Sequence, residues 1–284
     1  MKTHRLPKWI IGELRLLRVI RSTLIILVLV YGFFLLYGIF VADTLIFYPH
    51  PSSYGYGDPY VHIPSPTGDM ITIRELGHPD ARYTILYSHG NAEDLGDLEG
   101  VFQAFLAHGF SVAAYDYSGY GTSTGTPSEK ATYTNILAVY EYLLNQRKLH
   151  PDQILVLGRS VGGGPSVELS TRYRVGGLIL ESAFTSVFRM KTRIAIFPFD
   201  PFNNLGKIPS ASCPVLVIHG RQDEMIPFRH GQTLYERAPS PKMHLWVDGA
   251  HHNDLLWTAG ESYWKTLAEF TELVDARARP DHNR

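Results

Sequence analysis

The spacing of apolar positions changes twice along this chain. From Ser22 to Ala42 the stretch "STLIILVLVYGFFLLYGIFVA" holds 21 residues without a charge, apolar on every side of a helix instead of along one stripe. At helical rise this length crosses a hydrocarbon layer of about 30 Å, so it predicts a membrane-spanning helix over 22–42. In "YPHPSSYGYGDPY", residues 48–60, prolines, glycines and tyrosines erase any period and predict a linker. Beyond it come short β-branched runs. "YVHIPS" and "MITIREL" flank "PTGD", where Thr67, Gly68 and Asp69 supply the turn chemistry of a hairpin. Strand-like and helix-like segments then alternate. "YTILYSHG" leads to a helix around 95–108, "FSVAAYDY" to one over 128–147, and "QILVLG" to one over 162–173. "GLILES" leads to a segment around 184–196, "PVLVIHG" to a helix near 229–238, and "MHLWVDG" to a last helix near 261–277. Strands that are apolar throughout and separated by helices form a mostly parallel sheet covered on both faces. Such sheets bind ligands at the carboxyl ends of their strands. The predicted organisation is a basic N-terminus (1–21), an anchor (22–42), a linker (43–58), one α/β domain (59–277) and a tail (278–284).

Charge adds a direction. Lys2, Arg5, Lys8, Arg15, Arg18 and Arg21 all precede the apolar stretch, and the next Lys or Arg is Arg74. The positive-inside bias therefore places the N-terminus in the cytoplasm and the α/β domain on the other side. A cleaved signal peptide is the competing reading, but its apolar region runs only about 7–15 residues and ends in a small-residue site. Composition otherwise excludes more than it assigns. With 284 residues and 45% hydrophobic content the chain can bury one large core, and a net charge of -1 gives no reason to expect a nucleic-acid partner. A single cysteine, Cys213, rules out an intrachain disulfide and any zinc site built on cysteines; ahead of "PVLVIHG" it reads as a small apolar residue entering a strand.

The candidate chemistry begins at "GRSVGGGPS", residues 158–166. G-x-S-x-G directly after the apolar run "ILVL" is the pattern of a nucleophile on a tight strand-to-helix turn, where Gly158 and Gly162 give the close approach that such a turn needs. Ser160 would stand at the top of the sheet, with the N–H of Val161 and the start of a helix facing the same point. A serine hydroxyl needs a base, and the base an orienting acid, in the chain order serine, acid, histidine. "RQDEM" after "PVLVIHG" offers Asp223, with Glu224 as the alternative; "AHHND" after "MHLWVDG" offers His252 and His251. A second oxyanion donor should follow the strand ending in "SHGNAEDL": the N–H of Asn91, with Ala92 next, while His89 reads as a structural histidine. Paired histidines with no second pair at ligand spacing do not make a metal site. "YDYSGYGTSTG" lacks the Gly-Lys-Ser/Thr ending of a phosphate loop and reads as site rim. No cofactor is expected.

"YSHGNAEDLG", "YDYSGYGTSTGTPSEK", "GRSVGG", "PVLVIHGRQDEMIPFRHG" and "GAHHNDL", in this order, resemble the membrane-associated serine α/β-hydrolases, a family that includes the animal N-Ras depalmitoylases and the bud-emergence-type fungal and bacterial relatives. The likeness covers residues from about 45 to 275. It implies an α/β-hydrolase fold with Ser160 as nucleophile, Asp223 as acid and His252 as base, acting on acyl esters or thioesters. It also favours His252 over His251, since the family's histidine directly precedes Asn-Asp, here Asn253 and Asp254; His251 fills a place often held by glycine. The chain departs from the animal members in having no N-terminal cysteine to acylate and a spanning helix instead, which argues against a cytosolic acyl-protein substrate. The short, aromatic and proline-rich span containing "FPFDPFNN" predicts a minimal cap. Two other readings stay open: a serine peptidase of the same fold, which "GRSVGGG" also fits, and a non-catalytic interaction domain.

Overall fold

The computed structural model describes residues 8–57, 59–191 and 198–278. The chain forms two compact units, Met1–Leu45 and Ile46–Arg284. In the first, one helix, α1 (Lys8–Ile46), extends beyond the expected 22–42 at both ends. Its segment Leu17–Gly38 is long and apolar enough to cross a membrane, and side chains such as Leu24, Leu27 and Phe33 are exposed. Helix formation continues past the expected end at Ala42 because nothing in "DTLI" breaks it; the next proline after α1 is Pro49.

The second unit carries β1 (Tyr60–Pro64), β2 (Met70–Leu76), β3 (Thr84–Ser88), α2 (Glu99–Ala107), β4 (Ser111–Tyr115), α3 (Glu129–Asn145), β5 (Ile154–Arg159) and α4 (Gly163–Arg172). It continues with β6 (Gly177–Glu181), α5 (Val187–Lys191), α6 (Asn204–Lys207), β7 (Val215–Gly220), α7 (Arg229–Arg237), β8 (Lys242–Val247), α8 (Leu255–Ala259) and α9 (Glu261–Ala278). The eight strands lie in the order β1-β2-β4-β3-β5-β6-β7-β8. The first hairpin closes with Pro64 opposite Met70 and joins the sheet antiparallel, and all the other neighbours run parallel. This is the α/β-hydrolase fold.

Strand alternation explains the two cores. On one face Leu86, Val156, Leu180 and Val217 pack beneath α3 and α4; on the other Ile85, Leu157, Ile179 and Ile218 meet α2 and α9. Central strands buried on both faces are why their sequences read as continuous apolar runs. Ser128 caps α3 by accepting the Ala131 N–H at 3.0 Å, and an Asp94–Asp97 capping box starts the 3₁₀ turn ahead of α2. Cys213 is buried, and burial pushes its thiol up to about 12.

Beyond the longer α1, the structure adds to or departs from expectation in the domain as well. The segment expected around 184–196 is the short α5, and residues 192–197 lie outside the described residues, as does most of the expected tail. The aromatic cap contributes at least one side chain to the core, since buried Phe202 packs against Phe47, Tyr133 and Phe184. Residues 47–54, expected as linker, are fastened to the domain. Phe47 is buried, the Ser53 N–H donates to Asp94 at 2.8 Å, and the Tyr54 hydroxyl donates to Asp116. Local sequence cannot show this, because every partner lies 41 or more positions further on.

Strand order locates the place where chemistry can occur. The chain runs from β3 outward to β4 on one side and from β5 outward to β8 on the other. The carboxyl ends of β3 and β5 therefore flank the topological switch point, where loops diverge and leave a crevice.

Candidate active site

β5 delivers Ser160 to that crevice. The residue sits at φ 54, in the left-handed region, where a side chain costs about 1–3 kcal/mol unless the surroundings enforce it. The surroundings are crowded on both sides. A Cβ on Gly158 would overlap the Gly162 carbonyl oxygen, and one on Gly162 would overlap the Ser88 carbonyl of the neighbouring strand. Glycine at both positions is thus a packing requirement: it lets β5 turn into α4 while pressed against β3.

The loops after β7 and β8 bring the other two groups. His252 Nε2 lies 3.1 Å from Ser160 Oγ, and His252 Nδ1 donates to Asp223 Oδ2 at 2.8 Å. That assignment leaves Nε2 unprotonated toward the hydroxyl, the tautomer a general base needs. Asp223 Oδ1 is held by the N–H groups of Met225 (3.0 Å) and Ile226 (2.7 Å). Burial opposes ionisation of this carboxyl, but its bond to His252, the His252 charge and the Ile226 N–H together hold it below the usual carboxylate range. Asp223 and His252 are both buried, so the line from carboxylate to hydroxyl is largely shielded from water.

The alternative pair goes elsewhere. Glu224 lies 3.0 Å from His251 Nδ1, both side chains being more than half exposed. His251 accordingly belongs to the exposed rim, paired with Glu224.

The loop after β3 carries Asn91. Its side chain is fully engaged: Oδ1 accepts from the Tyr48 N–H (3.0 Å) and the Tyr120 hydroxyl (2.6 Å), and Nδ2 donates to the Ile46 carbonyl (2.5 Å). Among the described residues, no loop or turn hydrogen bond uses the backbone N–H of Asn91 or Val161. His89 is fully buried, donates from Nδ1 to the Gly90 carbonyl at 2.7 Å and faces Asp116 at 3.3 Å, which fits a histidine that shapes the loop.

Sequence reasoning missed what stands behind these residues. His219, inside β7, donates from Nε2 to the Ile226 carbonyl at 2.9 Å and lies 3.5 Å from Asp223 Oδ2; within "PVLVIHG" it reads as one more strand position. His230, at the start of α7, accepts the Thr185 N–H at Nδ1 (3.3 Å). Its burial first, then the Arg229 charge, lowers the pKa to about 4. The sign follows: the unfolded imidazole protonates near 6.5 and the folded one only near 4, so stability declines as pH falls from about 6.5 toward 4. From pH 7 to pH 5 the wild type should lose about 2 kcal/mol through this group. His230→Gln, which keeps an acceptor for Thr185, should lose less than half as much in urea denaturation at the two pH values; equal losses would remove His230 as the cause.

Chemically, such a line can deprotonate an alcohol, and two N–H donors over the same point can hold the oxyanion of a tetrahedral intermediate. His50, Asp94 and Asp97 also lie close enough together to be considered as metal ligands. His50 Nε2 is bonded to Asp97 at 3.1 Å, however, and Asp94 accepts the N–H groups of Ser53 and Gly96, so these side chains fasten the 47–54 segment.

A family model described as serine aminopeptidase, S33, matches residues 79–200. The α/β-hydrolase domain-containing proteins 17B of Xenopus tropicalis and Homo sapiens are each 42% identical over 199 residues, covering 69% of this chain and 67% of theirs. The α/β-hydrolase domain-containing protein aho-3 of Caenorhabditis elegans is 40% identical over 210 residues, covering 73% and 62% respectively. Among solved structures, an esterase of Pyrococcus furiosus superposes with a TM-score of 0.66 at 20% identity, covering 79% of this chain and 98% of its own. At that identity it speaks for the fold alone.

Proposed function

Because this chain belongs to the α/β-hydrolase family, alongside the α/β-hydrolase domain-containing proteins 17, we propose that it is a membrane-anchored serine hydrolase that cleaves acyl esters or thioesters through an acyl-Ser160 intermediate. One observation carries the proposal: His252 stands between Ser160 Oγ and Asp223, 3.1 Å from one and 2.8 Å from the other, at the switch point of the sheet. In the proposed reaction His252 accepts the hydroxyl proton as Ser160 Oγ bonds to the acyl carbon. Asp223 holds the imidazole in place and stabilises the imidazolium. The N–H groups of Asn91 and Val161 bind the oxyanion. The imidazolium then gives its proton to the departing alkoxide or thiolate. Water, activated by the same histidine, releases the acid and restores the hydroxyl.

α1 would anchor the enzyme through its apolar segment, and the basic residues from Lys2 to Arg21, ahead of the uncharged stretch 22–42, would orient the N-terminus to the cytoplasm with the catalytic domain on the opposite side. A site tethered to a bilayer suits lipid-like acyl groups. The family model's description favours a second reading, a serine peptidase, which the same triad and oxyanion donors would serve.

A fluorophosphonate probe and a substrate panel test the proposal together. The full chain in detergent should form one adduct, on Ser160, and should hydrolyse p-nitrophenyl acyl esters and acyl thioesters faster than peptide amides. An adduct that persists in Ser160→Ala would refute the nucleophile assignment, and preference for amides would select the peptidase reading.

A further inference from the structure

Arg159 ends β5, between Gly158 and the proposed nucleophile, and its side chain is only 12% exposed. From there the guanidinium reaches three other segments of the chain. Nη1 donates to both oxygens of Glu93 at 2.6 Å, Nη2 donates to Asn253 Oδ1 at 2.9 Å, and Nε lies 3.6 Å from Glu181 at the end of β6. Glu181 also accepts the Tyr263 hydroxyl at 3.0 Å. Glu93 then acts back on its own loop, with Oε1 accepting the backbone N–H of Gly90 at 2.5 Å. The same loop passes through a left-handed residue, Ala92 at φ 55, a conformation that persists only when neighbours hold it.

Energetics alone do not account for this cluster. One cation faces two carboxylates, all three side chains mostly buried, where desolvation offsets much of the attraction and a salt bridge is weak evidence for stability. What the guanidinium supplies is geometry, a planar fork whose directions fix the groups it binds. Those groups are informative. Arg159 adjoins Ser160, Asn253 adjoins His252, and Gly90 adjoins Asn91.

We infer that Arg159 is a positioning residue that holds the loop Gly90–Glu93, through Glu93, in register with the nucleophile turn and the His252 loop. It touches no reacting atom. The inference deepens the proposed function and rests on it for the role of the Asn91 N–H; the contacts themselves do not depend on that role. A donor displaced by an ångström loses transition-state stabilisation while leaving substrate binding nearly intact.

The test uses the full chain in detergent and compares wild type, Arg159→Lys, Glu93→Gln and the double variant. Arg159→Lys keeps the charge and loses the fork. It should lower kcat about 10- to 100-fold with KM within about twofold, and should speed amide exchange at Gly90 at least about tenfold with exchange in β5 and β6 unchanged. Glu93→Gln, nearly isosteric and the milder change if Arg159→Lys folds poorly, should produce the same local exchange signature. The double variant should be no slower than the worse single one. Unchanged exchange at Gly90 in both single variants would overturn the inference, as would kcat losses that multiply in the double variant. Ser160→Ala, assayed alongside, separates the two ideas. Undiminished turnover in it sinks the acyl-Ser160 reading, while exchange at Gly90 still decides whether Arg159 holds the loop.

Discussion

Ser160→Gly should abolish turnover and yet yield a more stable protein than Ser160→Ala. Loss of the nucleophile in a serine triad costs on the order of 10⁶-fold in kcat, and both substitutions remove the hydroxyl. They differ in backbone strain. The residue sits at φ 54, so alanine keeps the Cβ that makes this conformation unfavourable, whereas glycine removes it. Set against the greater chain entropy glycine loses on folding, about 0.5–1 kcal/mol, relief of about 1–3 kcal/mol leaves glycine ahead by about 1 kcal/mol. In a domain of this size that amounts to about 2–4 °C in Tm. Thermal unfolding of the two variants beside the wild type, with hydrolysis of a p-nitrophenyl ester, measures both effects. Equal Tm values would mean that the turn stores no strain at residue 160.

Asp223→Asn should cost about 10⁴-fold in kcat with little change in KM. The reason lies in which oxygen is held by what. Asp223 Oδ1 accepts two backbone N–H groups, from Met225 and Ile226, and Oδ2 accepts the His252 Nδ1–H. An asparagine that keeps its carbonyl on the two N–H groups must turn its NH₂ toward His252. The ring then has to carry its proton on Nε2, and in that tautomer it cannot take a proton from Ser160. Stability should respond in a pH-dependent way. The folded-state pKa of Asp223 is depressed, so its contribution is present above the unfolded carboxylate value near 4 and is lost as pH falls through the folded value. The variant's deficit relative to wild type should accordingly be seen at pH 7 and shrink in strong acid. Parallel loss of fluorophosphonate labelling rate and kcat would match this account; a kcat within about tenfold of wild type would contradict it.

How much of this could be read from residues alone depended on distance along the chain. Strands β5, β6 and β7 announce themselves because both faces are buried and their central runs, 154–157, 178–180 and 215–218, are apolar throughout. Ser160 is legible because its two glycines are crowded by neighbouring backbone, and a backbone requirement leaves a fixed spacing. Asp223 and His252 follow from the order of loops along the sheet edge. Arg159 left no such trace. A charged residue between Gly158 and Ser160 looks solvated until Glu93 and Asn253, 66 and 94 positions away, are seen to enclose it. His219 was hidden for the opposite reason, since an imidazole in an apolar strand resembles its neighbours in pattern but not in bonding. α8, five residues long, is too short to show a helical period.

On the proposed anchoring, the fastening of residues 47–54 bears on how the α/β domain could be freed from a bilayer. A protease cutting at the exposed glycine-rich stretch around Gly55 and Gly57 would separate the fragment that begins there from Phe47 and from the Tyr48 and Ile46 backbone groups bonded to Asn91. Shedding at that point would release a fragment no longer covalently joined to the groups that hold the Asn91 side chain. A cut before Ile46 would carry those groups into solution, so on the proposed role of Asn91 the site of cleavage should set how much activity is released.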